Sequence, residues 1–188
     1  ISDDSSILVS TSYNIQTGGM SLVWDLSTSE IIATQEKLYG VGSPVLSSDG
    51  AVLFYTIQSG VYSWNFITDV VVSISEGTSC ELFCGFNVFS PDLSYIVHSG
   101  YFGDIVVKDG KTNQEIYTID EIEYRISGIA FSPDVTFFVS SSDDGVIRKW
   151  DLLTGELLQS VGGYIRAIDT VDISPDGSTV TVGVMTGE

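Results

Sequence analysis

Basic residues are scarce in this chain. Seven lysines and arginines stand against 25 aspartates and glutamates, for a net charge of −18. Lys37, Lys108, Lys111, Arg125, Arg148, Lys149 and Arg166 are scattered, and only Arg148 and Lys149 adjoin. Nucleic-acid binders set clustered cations against phosphates, so no nucleic-acid partner is expected. The acidic surface serves solubility, and it also steers a basic protein partner.

Histidine occurs once and cysteine twice. A Ser-His-Asp or Cys-His arrangement would have only His98 to draw on. Structural zinc would need two ligands beyond Cys80 and Cys84 of the segment CELFC, so no metal site is expected. These two read as free thiols or, in an oxidising compartment, as a small-ring disulfide, and the compartment stays open. No apolar run reaches the roughly 18–20 residues of a membrane-spanning helix, so no membrane insertion is expected. Residue 1 is Ile with no charged-then-apolar leader after it, which places targeting information nowhere or outside this segment. Phosphate-binding glycine motifs, HExxH and EF-hand loops are missing, and no cofactor is implied. Helical periodicity is missing too, since Gly or Pro punctuates each candidate stretch.

What is present is a repeat. Apolar residues make up 43% of the chain, enough for a core, and they recur in register. One string appears five times: ISDDSS from Ile1, LSSDGA from Leu46, FSPDLS from Phe89, FSPDVT from Phe131 and ISPDGS from Ile173. Successive starts lie 45, 43, 42 and 42 residues apart. Ser, Pro, Asp and Gly are turn formers, so the string reads as a tight hairpin between two apolar runs. The doublets Asp3-Asp4 and Asp143-Asp144 sit at hairpin turns and are explained by turn chemistry.

A second landmark follows each turn: Trp24-Asp25, Trp64-Asn65, Lys108-Asp109 and Trp150-Asp151. Each ends a β-like run and precedes another turn and another apolar run. Every period therefore holds four strands: a before the Ser-x-Asp turn, b after it, c ending on the landmark, and d. The spacing predicts strand, not helix, over 51–57, 94–98, 136–141 and 145–151. The repeats run over about 1–45, 46–88, 89–130 and 131–172, with the start of another at 173–188. His98 falls at the end of a b strand, where other repeats have Ser or Thr, and is expected to pack or hydrogen-bond.

These residues resemble the WD-repeat (tryptophan–aspartate repeat) β-propellers, whose repeats of about 40–45 residues each form a four-stranded blade. The match is closest over the stretch from Phe131, FSPDVTFFVSSSDDGVIRKWDLLTGELL. The resemblance implies an all-β fold, a partial or open propeller of four-stranded antiparallel blades over residues 1–188. It also implies a hydrogen-bonded network of a d–a link His, a b–c turn Asp, a b-strand Ser or Thr, and the landmark Trp. Asp144, a Ser of the Ser140–Ser142 run and Trp150 match three of these roles, but no link carries a His. The network is therefore expected to be incomplete, with water in the His position. Lys108 in place of Trp unsettles packing in the third repeat.

The first repeat lacks strand a and the last copy stops after strand b, which makes 17 strands. The segment is expected to be part of a longer ring, seven-bladed by resemblance, with completion by a second copy as the alternative. Alone it is expected to be unstable or oligomeric. In a propeller the b–c and d–a connections share one face and the a–b and c–d turns the other. The first set holds Tyr13, Tyr39, Phe83, Tyr101, Phe102, Tyr124, Tyr164, Arg125 and Arg166, while the second is mostly small turn residues. Tyr and Arg favour binding hot spots. The expected function is a non-catalytic protein-interaction scaffold, with Tyr101, Phe102, Tyr124, Arg125 and Tyr164 near the centre of the contact. Alternatives are an assembly subunit, of a larger complex or of a homo-oligomer, and a pocket-type ligand binder or enzyme.

Overall fold

The computed structural model describes residues 2, 5–14, 18–38, 44–47, 50–57, 60–76, 87–100, 102–162 and 167–184. Among these residues there are 17 strands and no helix. The first sheet joins β1 (Ile7–Asn14), β2 (Gly18–Asp25) and β3 (Glu30–Leu38). Three four-stranded sheets follow, each an antiparallel meander in chain order. They are β4 (Val45–Leu46), β5 (Val52–Ile57), β6 (Gly60–Asn65) and β7 (Val70–Glu76); then β8 (Asn87–Phe89), β9 (Tyr95–Ser99), β10 (Ile105–Asp109) and β11 (Glu115–Ile119); then β12 (Ile126–Phe131), β13 (Phe137–Ser142), β14 (Ile147–Asp151) and β15 (Leu157–Val161). A hairpin of β16 (Ile168–Ile173) and β17 (Val180–Val184) ends the described chain. This is the blade architecture of a β-propeller, and strand fills the four expected segments from 52, 95, 137 and 147 onward, one or two residues inside their expected starts.

The turns explain why the chain folds back at these points. At each c–d turn a landmark side chain accepts the two backbone N–H groups ahead of it. Asp25 Oδ1 accepts from Ser27 and Thr28 at 2.7 and 3.2 Å, and Asn65 Oδ1 from Ile67 and Thr68 at 3.1 and 2.9 Å. Asp109 Oδ1 accepts from Lys111 and Thr112 at 3.0 and 2.8 Å, and Asp151 Oδ1 from Leu153 and Thr154 at 3.0 and 2.9 Å. Four residues after each landmark the backbone turns left-handed, at Ser29, Asp69, Asn113 and Gly155. The a–b turns repeat the logic with Ser-x-Asp: the Ser90 hydroxyl accepts the Tyr95 N–H at 2.9 Å, and Asp92 accepts that of Ser94 at 3.1 Å. The residue after the Asp is again left-handed, and at Leu93 and Val135 no glycine stands there (φ 60 and 57°). Side-chain acceptors compete with water for these amides and hold the turn where sterics alone would not.

The chain divides into two compact units, Ile1–Glu81 and Leu82–Glu188, each described here by itself. In the first, Val23, Leu53, Tyr55 and Trp64 are buried together, flanked by Ile7, Val9, Ala33 and Leu46. In the second, one core gathers Val97, Ile105, Val107, Ile119, Ile122, Ile126, Phe131, Phe138, Trp150 and Leu152. Beside Lys108, strand β10 still gives Ile105 and Val107 to this core. Within this unit strand β12 lies against both β8 and β16, so the a strands neighbour one another. Gly128 permits that approach: a Cβ there would lie 2.9 Å from both Val171 N and Ser141 Oγ. A smaller core of Ala130, Val139 and Val171 fills the same seam.

The landmark tryptophans follow a diagonal rule. Trp24 sits opposite Leu8 and Trp150 opposite Phe138, and each donates its indole N–H to the serine two residues further along the b strand. Trp24 Nε1 reaches Ser10 Oγ at 2.9 Å, and Trp150 Nε1 reaches Ser140 Oγ at 2.9 Å. In the second sheet that diagonal position is Tyr55, and Trp64 donates instead to Asp69 at 3.1 Å. In the third, Lys108 sits opposite Ile96 and the diagonal residue is His98, whose Nδ1 lies 3.1 Å from Asn87 Oδ1. Burial, seconded by the Lys108 charge, lowers the pKa of His98.

Ser140→Ala leaves the fully buried Trp150 N–H without its acceptor. Urea denaturation should show a loss of about 1–3 kcal/mol. Ser10→Ala, at the half-buried Trp24, should cost less. A loss at Ser140 no larger than at Ser10 would contradict the argument.

Candidate functional site

Six residues, 120–125, link β11 to β12. Ile122 is buried in the core of its unit, whereas Asp120, Glu121, Glu123, Tyr124 and Arg125 are exposed. The link is held from one side by residues 102–104, which precede β10. Gly103 lies flat against it at φ +100°, and a Cβ there would fall 2.1 Å from the Ile122 carbonyl oxygen and 2.5 Å from that of Tyr124. Only glycine fits both the angle and the approach. Nearby, the Gly100 N–H donates to the Asp104 carbonyl at 2.7 Å, and the Asp104 carboxylate lies over the Gly100 Cα.

The b–c turn of the next sheet, residues 143–146, holds the link from its other end. The Asp143 N–H donates to the Arg125 carbonyl at 3.0 Å. The side chains of the same two residues pair at 3.8 Å, both well exposed, a contact worth about 0–1 kcal/mol at most. The backbone bond and the buried Ile122, not the ion pair, position the link. Beyond the turn, Gly162 comes close to Val146, where a Cβ would lie 3.1 Å from Cγ2.

Under this surface is a polar knot. Arg148 Nη2 donates to Asp144 Oδ2 at 2.7 Å, and Nη1 to Ser142 Oγ at 3.1 Å. Ser142 Oγ donates to Asp144, which also accepts the Val146 N–H at 3.0 Å. Burial raises the Asp144 carboxyl, but the hydrogen bonds from Arg148, Ser142 and Val146 outweigh it and hold the group below the ordinary carboxylate range. The network implied by the resemblance is therefore split in two. A cation from strand c, reaching over the turn, binds the Asp that a link His was expected to meet, while Trp150 and Ser140 pair separately.

Phe102 is 80% exposed and Tyr124 54% exposed. The contacts through Gly103 bring their two segments together, and Arg125 follows Tyr124 on the link. Tyr101 and Tyr164 lie outside the described residues, as do Tyr39, Phe83, Arg166, Cys80, Cys84, Asp3 and Asp4. The opposite turns are less uniformly polar than expected: Ile67 and Leu153, each two residues after a landmark, are 74% and 72% exposed. Turn amides that fold toward the landmark carbonyl or carboxylate throw the intervening side chains outward. Sequence reasoning missed Arg148 and Gly103, and a glycine two residues past Tyr101 was the available signal for the second. Among the described residues no group of three or more His, Cys, Asp or Glu side chains is placed to hold a metal ion. No helix among them is long and apolar enough to cross a membrane.

Four-stranded meanders, a Trp-Asp landmark at every c–d turn but two, and a match of residues 113–151 to the family model of the WD domain, G-beta repeat, converge. Residues 113–151 carry a WD repeat, and the four-stranded sheets have the blade architecture of that family's propellers. WD-repeat proteins are in general non-catalytic scaffolds that bind other proteins. Similar proteins include Autophagy-related protein 16 of Arabidopsis thaliana, 24% identical over 84% of this chain and 31% of that protein. Eukaryotic translation initiation factor 3 subunit I of Eremothecium gossypii is 25% identical over 79% of this chain and 44% of its own length. Nuclear distribution protein PAC1 of Ajellomyces capsulatus is 37% identical over 37% of this chain and 15% of its own. The chain thus spans less than half the length of these relatives.

Arg148→Met should cost about 2 kcal/mol or more at neutral pH, because it strands a mostly buried carboxylate. The sign with pH follows from Asp144. Its folded pKa lies below the unfolded value of about 3.9, so its contribution is present above about pH 4 and lost as pH falls through the lowered value. In Arg148→Met the stranded charge disappears on protonation, so the deficit against the parent protein should shrink toward acid pH. Denaturation curves at several pH values read this, and a pH-independent deficit would mean that Arg148 acts through packing alone. Separately, Gly103→Ala should cost about 1 kcal/mol or more and shift the amide resonances of 122–125.

Proposed function

We propose that this chain is a non-catalytic interaction scaffold. Its protein partner sits on the surface made by residues 100–104, 120–125 and 143–146, with Phe102, Tyr124 and Arg125 near the centre. The sequence assigns Tyr101 and Tyr164, which lie outside the described residues, to the same connections. The observation that carries the reading is the exposure of Phe102 and Tyr124 on segments locked to each other by backbone contact. Aromatic side chains bury a large area on contact, and a preorganised backbone leaves little ordering cost to binding. One similar protein, a subunit of a translation initiation factor, fits a role in assemblies.

A photo-crosslinking residue placed at 102 or 124, compared with one at 153 on the opposite turns, reads the face directly. Adducts from 102 and 124 are expected, and adducts from 153 alone would overturn the reading. Phe102→Ala and Tyr124→Ala should each weaken the partner by roughly 2 kcal/mol, with unfolding stability changed by less than about 0.5 kcal/mol.

One observation favours a second reading, an assembly subunit. The outermost strands expose aliphatic side chains: Ile31 and Ile32 on β3, Val70, Val71 and Val72 on β7, Leu157 and Leu158 on β15. An apolar edge strand is a template for pairing with another chain. Sedimentation that rises with concentration, and that Val71→Lys suppresses, would support this reading. A monomer at all concentrations would remove it.

A further inference from the structure

Six turn aspartates among the described residues are engaged by their own turns. Asp25, Asp109 and Asp151 each accept two backbone N–H groups. Asp92, Asp134 and Asp176 accept both a backbone N–H and a hydroxyl. Asp176 is held at about 2, first by the Ser174 hydroxyl and then by the amide and hydroxyl of Ser178. Their charge remains, but the lone pairs are directed inward.

The link carboxylates differ. Asp120, Glu121 and Glu123 are exposed and have no hydrogen bond or ion pair within the chain among the described residues. Glu121 and Glu123 flank the buried Ile122, a fixed anchor, and Glu123 adjoins Tyr124. The one cation on the link, Arg125, is turned toward Asp143. Exposed aromatic surface and unengaged negative charge thus coincide on one rigid ridge.

We infer that the 120–125 link is the recognition element, and that the segment of the partner it takes is basic. Lysine or arginine side chains reach Glu121 and Glu123, while an apolar side chain lies over Phe102 and Tyr124. This rests on the proposed location of the partner and adds its chemistry. Ion pairs formed there exchange little existing hydrogen bonding, whereas pairing with the turn aspartates would compete with bonds that hold the fold. Cations also find the faces of Phe102 and Tyr124 favourable. The net charge of −18 adds long-range attraction that salt screens within about 10 Å at 0.1 M.

The test uses the full chain and two labelled peptides, one of alternating lysine and leucine and one of alternating glutamate and leucine, with amide shifts mapped by NMR. The lysine peptide is expected to shift 102–104 and 120–125 and to leave 134–136 and 152–155 in place. The double substitution Glu121→Lys, Glu123→Lys should weaken it by roughly tenfold or more, while Asp134→Asn should not. If the glutamate peptide binds the same residues equally well, the face stands and the basic partner falls. If the lysine peptide shifts the opposite turns as strongly, or spreads over the surface, the inference is overturned. If both peptides bind only elsewhere, the location itself is wrong.

Discussion

The need to satisfy backbone amides at hairpin turns without borrowing from the strands governs this molecule. A strand meander has a turn every few residues, and each turn exposes N–H groups that the ladder cannot use. Here a short oxygen-bearing side chain takes them, a serine and an aspartate at one set of turns and an aspartate or asparagine at the other. The consequences propagate outward. A fixed turn fixes the register, the register decides which alternate side chains face the neighbouring sheet, and a slip of one residue would turn Phe138 and Trp150 out of the core.

The same constraint separates the two sets of connections functionally. Turns that close by local hydrogen bonding are short and self-contained, and their polar atoms are committed. Among the described residues, the 120–125 link is instead held by contact with other connections, through Gly103 against its backbone and Asp143 against Arg125. Its exposed side chains, unlike the buried Ile122, take no part in that closure. Magnitudes support this division. The Arg148–Asp144 contact is short, mostly buried and part of a network, whereas the Arg125–Asp143 pair is long and wet, so changing Arg125 should disturb the fold far less than changing Arg148.

The parts legible in the sequence are those with local causes. The Ser-x-Asp and Trp-Asp spacings announced the turns because an aspartate reaches amides two and three residues ahead, a distance written in the chain. The strand count followed from them. What was hidden depends on direction in space. Arg148 reads as a strand residue, and only its rotamer carries the guanidinium across the hairpin to Asp144. Leu93 and Val135 occupy left-handed positions where the pattern favours glycine, because the hydrogen bonds of those turns override a preference that is only steric. The two protruding aliphatics, Ile67 and Leu153, were read as minor parts of polar turns.

The outer strands carry a further implication, for colloidal behaviour. Aliphatic edges on β3, β7 and β15 attract at short range, and a strongly negative envelope repels at long range. These forces respond oppositely to electrolyte: added salt shortens the repulsion and leaves contact attraction intact or strengthened. On that balance, added salt favours contact between copies of the chain over separation. Its solubility is then a property of the medium as much as of the fold.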